Sequence, residues 1–254
     1  MNLENGNVAV KIEEGIARIT FSHPKSNSLP SDLLKKMTNN FAQLGKNDDV
    51  KVIILKSEGT GAFCAGASFD ELESIDNFET GKEFFMGFAR LIMAMIKCPK
   101  FIIARVHGKA VGGGVGLISA VDYAIAVKNV SVRLSEFALG IGPFVVAPAI
   151  ERKIGMNAFS SMTIDTEWRD SDWGLMNGLF SKVVNSTEEL NSSVDSLAKN
   201  LAAHSLESIS LLKKMFWTET EGWNELLEQR AEISGKLVLS DFTINAIKKF
   251  KGRG

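Results

Sequence analysis

Residues 8–22, VAVKIEEGIARITFS, alternate apolar and polar positions on either side of Glu14-Gly15. That period of two predicts a pair of strands joined by a tight turn. The period then lengthens. In SLPSDLLKKMTNNFAQLGKN, Leu33, Leu34, Met37 and Phe41 recur at helical spacing, and Gly45 marks a stop. VKVIILKS is short, continuous and β-branched, the pattern of a strand buried on both faces. A glycine-rich turn, EGTGAFCAGAS, leads into a helix of mixed charge, and then into EFFMGFARLIMAMIKC, apolar on nearly every face and ended by Pro99. FIIARVHG predicts another buried strand, VGGGVGLISAVD opens a helix, and YAIAVKN and VSVRLS are strand-like.

Strands alternating with helices predict a parallel sheet of βαβ units. After about residue 150 the pattern is helical, and neither an internal repeat nor a low-complexity linker interrupts it. The expected architecture is α/β: a core over residues 1–195, followed by a helical region over 196–254. That region is apolar enough to need a partner surface, such as another subunit.

Composition narrows the function. The chain has 254 residues, 45% hydrophobic and 23% charged, enough for a real core in one large domain. A net charge of -1 supplies no field that would attract nucleic acid or an anionic membrane. Cys64 and Cys98 are too few for a disulfide framework, and His23, His107 and His204 have no spaced partners, so no metal is expected. The polar, acidic start lacks the apolar stretch of a signal peptide, and no apolar run approaches the ~18 residues that span a bilayer. The expected location is the cytoplasm.

The chemistry concentrates in RVHGKAVGGGVG, residues 105–116. Three consecutive glycines after a strand admit three readings. A dinucleotide turn is one, but no G-x-G-x-x-G can be built from Gly108, Gly112, Gly113, Gly114 and Gly116, and no GKS or GKT follows. Close packing of a helix on a strand is another. The third is an oxyanion hole, in which free N–H groups at a helix start donate to a developing negative oxygen. The turn FCAGAS, after the preceding strand, is placed to offer a second donor.

GAFCAGASFDEL followed by IIARVHGKAVGGGVGLISAVDYAIA resembles the crotonase family, the enoyl-CoA hydratases and isomerases. GIARITFSHPKSNSL, LSEFALGIGPFVVAPAIERKIG and WRDSDWGLMNGLFSKVV extend the resemblance over nearly the whole chain. The resemblance implies a ββα spiral core, a helical trimerisation region, and a homotrimer or homohexamer acting on acyl-CoA. It makes the N–H groups of Ala67 and Gly113 the donors to a thioester carbonyl. It places substrate contacts at Lys25, Ala65, Gly66, Phe69, Gly112, Pro143 and Phe144, with pocket walls from residues 69–95 and 141–170. Coenzyme A enters as part of the substrate, so no separate cofactor is implied; Lys248, Lys249 and Lys251 are candidates for its adenosine phosphate.

Hydratases of this family carry two glutamates. Here the first position is Gly116 and the second is Glu136, so the chain resembles the single-glutamate members, among them the 3,2-enoyl-CoA isomerases. Hydration must activate water and also protonate carbon, whereas moving a double bond needs one base, and Glu136 is that base in this reading. Two alternatives stand beside it: a hydratase whose second acid has moved to Asp70 or Glu71, and a non-catalytic acyl-CoA-binding or RNA-associated scaffold. Asp122, Asp165 and Glu167 read as structural or loop residues. The absence of G-x-S-x-G argues against a serine hydrolase. Pro143-Phe144, where related dehalogenases carry an aspartate, argues against dehalogenation.

Overall fold

A computed structural model describes residues 6–251, with the side chains of Phe250 and Lys251 left out of the description. Strands β1 (Asn7–Glu13) and β2 (Ile16–Ser22) form the expected antiparallel hairpin, turning at Glu14 and Gly15. Helix α1 (Ser31–Lys46) buries Leu33, Leu34, Met37, Phe41 and Leu44. It runs through Gly45 and is capped at Asn47, so Gly45 is not the stop. A Cβ at Gly45 would stand 3.1 Å from Pro99 Cδ, which identifies a packing role instead.

The chain continues through β3 (Val52–Ser57), α2 (Phe69–Ser74), α3 (Phe78–Lys97), β4 (Phe101–Val106), β5 (Ala110–Val111), α4 (Gly113–Ala120), β6 (Tyr123–Val127) and β7 (Ser131–Arg133). Next come α5 (Ala147–Asp165), β8 (Arg169–Asp170), α6 (Ser171–Met176), β9 (Lys182–Val184), α7 (Thr187–Ala202), α8 (Leu206–Phe216), α9 (Trp223–Leu237) and α10 (Asp241–Lys251). The main sheet has the order β1-β2-β3-β4-β6-β9 and is parallel from β2 onward. A small second sheet, β5-β7-β8, lies where the glycine loop begins. β8 and β9, with two and three residues, are too short to show a period and exist by pairing alone.

The expected boundary at 195/196 falls inside α7, which packs on β2, β3, β4, β6 and β9 and so belongs to the core. Nor is the helical region separate. α9 crosses α3 backbone to backbone: a Cβ at Gly235 would stand 2.6 Å from Lys82 N, and one at Gly81 would stand 3.0 Å from Gly235 O. The partner surface that α9 needs is therefore α3 of the same chain. Asp122 fastens α8 to the sheet. Its Oδ2 accepts from Lys213 Nζ at 2.7 Å and from the Ile102 N–H at 2.8 Å, while Oδ1 accepts from Trp217 Nε1–H at 3.1 Å. Both charges are buried, with side-chain exposures of 2% for Lys213 and 6% for Asp122. Among the described residues, no helix is long and apolar enough to cross a membrane, and no group of three or more His, Cys, Asp or Glu could hold a metal ion.

Candidate active site

Two strand-to-helix turns are joined edge to edge. The Cys64 N–H donates to Lys109 O at 3.2 Å, and the Val111 N–H donates to Cys64 O at 2.9 Å. Gly66, at φ 86, sits at the seam, where a Cβ would lie 2.8 Å from Val111 O and 3.4 Å from Gly113 N. Any side chain there would wedge the turns apart. Gly112 ends the second turn at φ 52 and caps α4; its own N–H donates to Arg133 O at 2.9 Å. Its carbonyl accepts the N–H groups of Val115 and Gly116 at 2.8 and 3.1 Å. Gly113 is the first helical residue, so its N–H has no acceptor within the helix. Among the described residues, the backbone bonds of the two turns bypass the N–H groups of both Ala67 and Gly113.

Glu136 arrives from the loop between β7 and α5. Its backbone carbonyl accepts the N–H groups of Leu139, Ile141 and Gly142 at 3.1, 3.0 and 3.1 Å, which winds residues 136–142 into a tight turn. The side chain points back across the seam. A Cβ at Gly112 would stand 2.5 Å from Glu136 Oε1, so the carboxyl lies on bare backbone. Oε2 is buried and has no hydrogen-bond partner among the described residues. Burial pushes the Glu136 acid up to about 7, against a smaller opposing pull from the backbone N–H groups of Glu136 and Ser135. This is the range in which a carboxyl can exchange protons at neutral pH.

These parts surround one cavity of ≈ 60 Å³. Ala65, Gly66, Ala67 and Phe69 line it from the first turn, Gly112 and Gly113 from the second, and Glu136, Pro143 and Phe144 from the third segment. Lys25 stands apart, on the surface, with Nζ paired to the Asp70 carboxylate. Asp70 and Glu71 do not line the cavity either. Glu71 Oε2 accepts from the N–H and the Oγ–H of Ser31, at 2.9 and 2.7 Å, at the start of α1. Glu136 is the one ionisable residue among those lining the cavity. Phe137, its neighbour in sequence, is turned outward and 58% exposed.

The walls differ from expectation in extent. Leu72, Phe85 and Phe88 fall within 69–95, and Val145 and Val146 within 141–170, but nothing beyond Val146 in that second range reaches the cavity. Ser234 of α9 does, a contact between segments about 150 residues apart that no local pattern announces. Lys249 lies in a neighbouring groove with Arg133. The side chain of Lys251 falls outside the described residues. Cys64, inside the first turn, is buried, and its thiol is pushed up to about 12 by desolvation, so it is protonated and unreactive at neutral pH.

Residues 11–251 match the family model described as enoyl-CoA hydratase/isomerase. The chain belongs to that family. The short-chain-enoyl-CoA hydratase of Clostridium acetobutylicum is 28% identical over 214 residues, covering 84% of this chain and 81% of the relative. A probable enoyl-CoA hydratase of Bacillus subtilis is 26% identical over 245 residues, covering 96% and 95%. Among solved structures, an enoyl-CoA hydratase from Bacillus halodurans superposes with a TM-score of 0.89 at 20% identity, over 95% of this chain and 99% of that one. That likeness establishes the crotonase fold, with its central sheet and surrounding helices.

Proposed function

We propose that the protein moves the double bond of a 3-enoyl-CoA to the 2-position, with Glu136 as the only acid–base group. The thioester oxygen would sit between the Ala67 and Gly113 N–H groups. Glu136 would take a proton from C2, the electrons would pass to the carbonyl oxygen as a dienolate, and the same carboxyl would return the proton to C4. Each backbone donor aimed at that oxygen is worth about 3–4 kcal/mol in comparable sites. The observation that carries the reading is that Glu136 is the one ionisable group among the described residues that line the cavity. The position of a first hydratase glutamate, Gly116, is filled from outside: a Cβ there would stand 2.5 Å from Val146 Cγ1.

The names of the relatives favour a second reading, addition of water to a 2-enoyl-CoA. Glu136 would then have to both activate water and protonate C2, since Asp70 and Glu71 are held elsewhere. The ultraviolet absorbance of the conjugated thioester separates the two. With a 3-enoyl-CoA the wild type gives a rise that Glu136→Gln abolishes. A fall with 2-enoyl-CoA and no rise with 3-enoyl-CoA would establish hydration. Tight acyl-CoA binding with no turnover, unchanged in Glu136→Gln, would leave a binding scaffold. Assembly as a trimer or hexamer fits the exposed Leu211, Leu212, Met215 and Phe216 of α8, and light scattering on the purified protein tests it.

A further inference from the structure

We infer that the cavity is a short-chain acyl site whose depth is set by Phe88 and Phe85, so that the protein selects small enoyl thioesters over long fatty acyl ones. The inference rests on the proposed reading for where the thioester sits, against Ala67 and Gly113.

The volume comes first. In the liquid one water-sized group takes up about 30 Å³. The cavity behind the two turns, at ≈ 60 Å³, is on that scale a space for a few small groups, the size of a short acyl chain and not of a long one. A long chain would have to displace the wall. Phe88 is that wall, because a Cβ on Gly113 would stand 2.3 Å from Phe88 Cε1. The ring thus begins where the donor turn ends.

The wall is braced. Phe84 meets Phe85 and Phe88 edge to face, with ring centroids 5.3 and 6.0 Å apart and interplanar angles of 82° and 71°. Either ring would lose that packing by swinging aside. All three rings stand on α3, whose backbone is held against α9 at Gly81 and Gly235, and α9 in turn sends Ser234 to the cavity. Leu72 closes the side toward α2, and Val146 the side toward Gly116. Interiors packed this way give by small shifts, not by opening a channel.

Titration calorimetry with butanoyl-CoA and dodecanoyl-CoA tests this on the intact protein. Both are saturated, so neither can isomerise or hydrate, and both carry the same coenzyme A, so the ratio of affinities reports the acyl chain alone. Wild type is expected to bind butanoyl-CoA tighter by a factor of about 10 or more. Phe88→Ala is expected to bring the two within about threefold or to reverse them, by letting the added methylenes be buried. Phe88→Leu, which keeps an apolar side chain on α3, is expected to shift the ratio in the same direction by less and serves if the alanine variant does not fold. Wild type binding dodecanoyl-CoA as tightly as butanoyl-CoA would overturn the inference, and so would a ratio that neither substitution moves. Failure of the proposed isomerisation would leave this binding pattern intact, so the two readings fail separately.

Discussion

The carboxyl of Glu136 rests on the α-carbon of Gly112, so close that a single added Cβ would stand 2.5 Å from Oε1 and 3.0 Å from Cδ. Gly112 also holds φ 52 and ψ -116, a conformation costly for residues with a side chain. One residue therefore ends the donor turn and seats the base beside it. Gly112→Ala should keep the fold and lose about 10²-fold or more in kcat, because a displacement of about 1 Å of a reacting group is enough for that. Circular dichroism alongside steady-state kinetics checks both halves. An alanine variant with wild-type kcat would show that the seat is not needed.

The pH dependence follows from the buried acid. Glu136 works as a base only when ionised, and its ordinary value of 4.5 is raised to about 7 in the folded protein. Activity as kcat/KM, which reports the free enzyme, should climb as pH rises through about 7 and level off above it. A plateau already complete at pH 5.5 would exclude Glu136 as the titrating base.

Stability should move the other way. Between 4.5 and about 7 the folded protein keeps a proton that the unfolded chain has released, so stability falls as pH rises across that window. Glu136→Gln removes the titration. The variant should match wild type on this account below pH 4.5 and gain up to about 3 kcal/mol over it above pH 7, measured by urea unfolding at both pH values. A gain that is the same at both would mean that the carboxyl is not desolvated.

Much of this was legible in the chain, and the exceptions share a cause. The hairpin about Glu14-Gly15 and α1 follow from periods of two and 3.6, and the buried strands from continuous β-branched runs, because each is long enough to show its pattern. Asp122 already read as structural. What it holds, Lys213 and Trp217, lies about 90 residues away and carries no local mark. The same holds for Ser234 and for Gly235 on Gly81, where two unremarkable glycines become the closest approach of two helices. Lys25, which the resemblance assigned to coenzyme A, lies on the surface with its ammonium paired to Asp70 in the first turn of α2.

The Asp122–Lys213 pair predicts a large local cost. Asp122→Ala would leave the Lys213 ammonium buried with, among the described residues, only the Lys100 carbonyl, at 3.2 Å, to accept from it. Removing one partner of a buried pair typically costs about 3–5 kcal/mol. Urea unfolding should show a loss of that size, and replacing Lys213 by Met in the same chain should recover part of it. No recovery would mean that the cost lies in the lost bonds to Ile102 and Trp217 and not in the stranded charge.

The donor role of Gly113 can be tested only after room is made for a side chain. A proline at the first helical position is well tolerated by helices and removes the N–H, which makes it the natural probe. Here, however, any Cβ at Gly113 would meet Phe88 Cε1 at 2.3 Å, so Gly113→Pro in the wild-type background would confound steric damage with loss of the donor. Phe88→Ala provides the common parent. Within it, Gly113→Ala keeps the N–H and Gly113→Pro deletes it, while both add a Cβ. The alanine double variant should retain the parent's kcat within about tenfold, and the proline double variant should lose about 10²–10³ relative to it, the usual effect of removing one oxyanion donor. Equal activity in the two, with both folded by circular dichroism, would take Gly113 out of the mechanism and leave the glycines to packing alone.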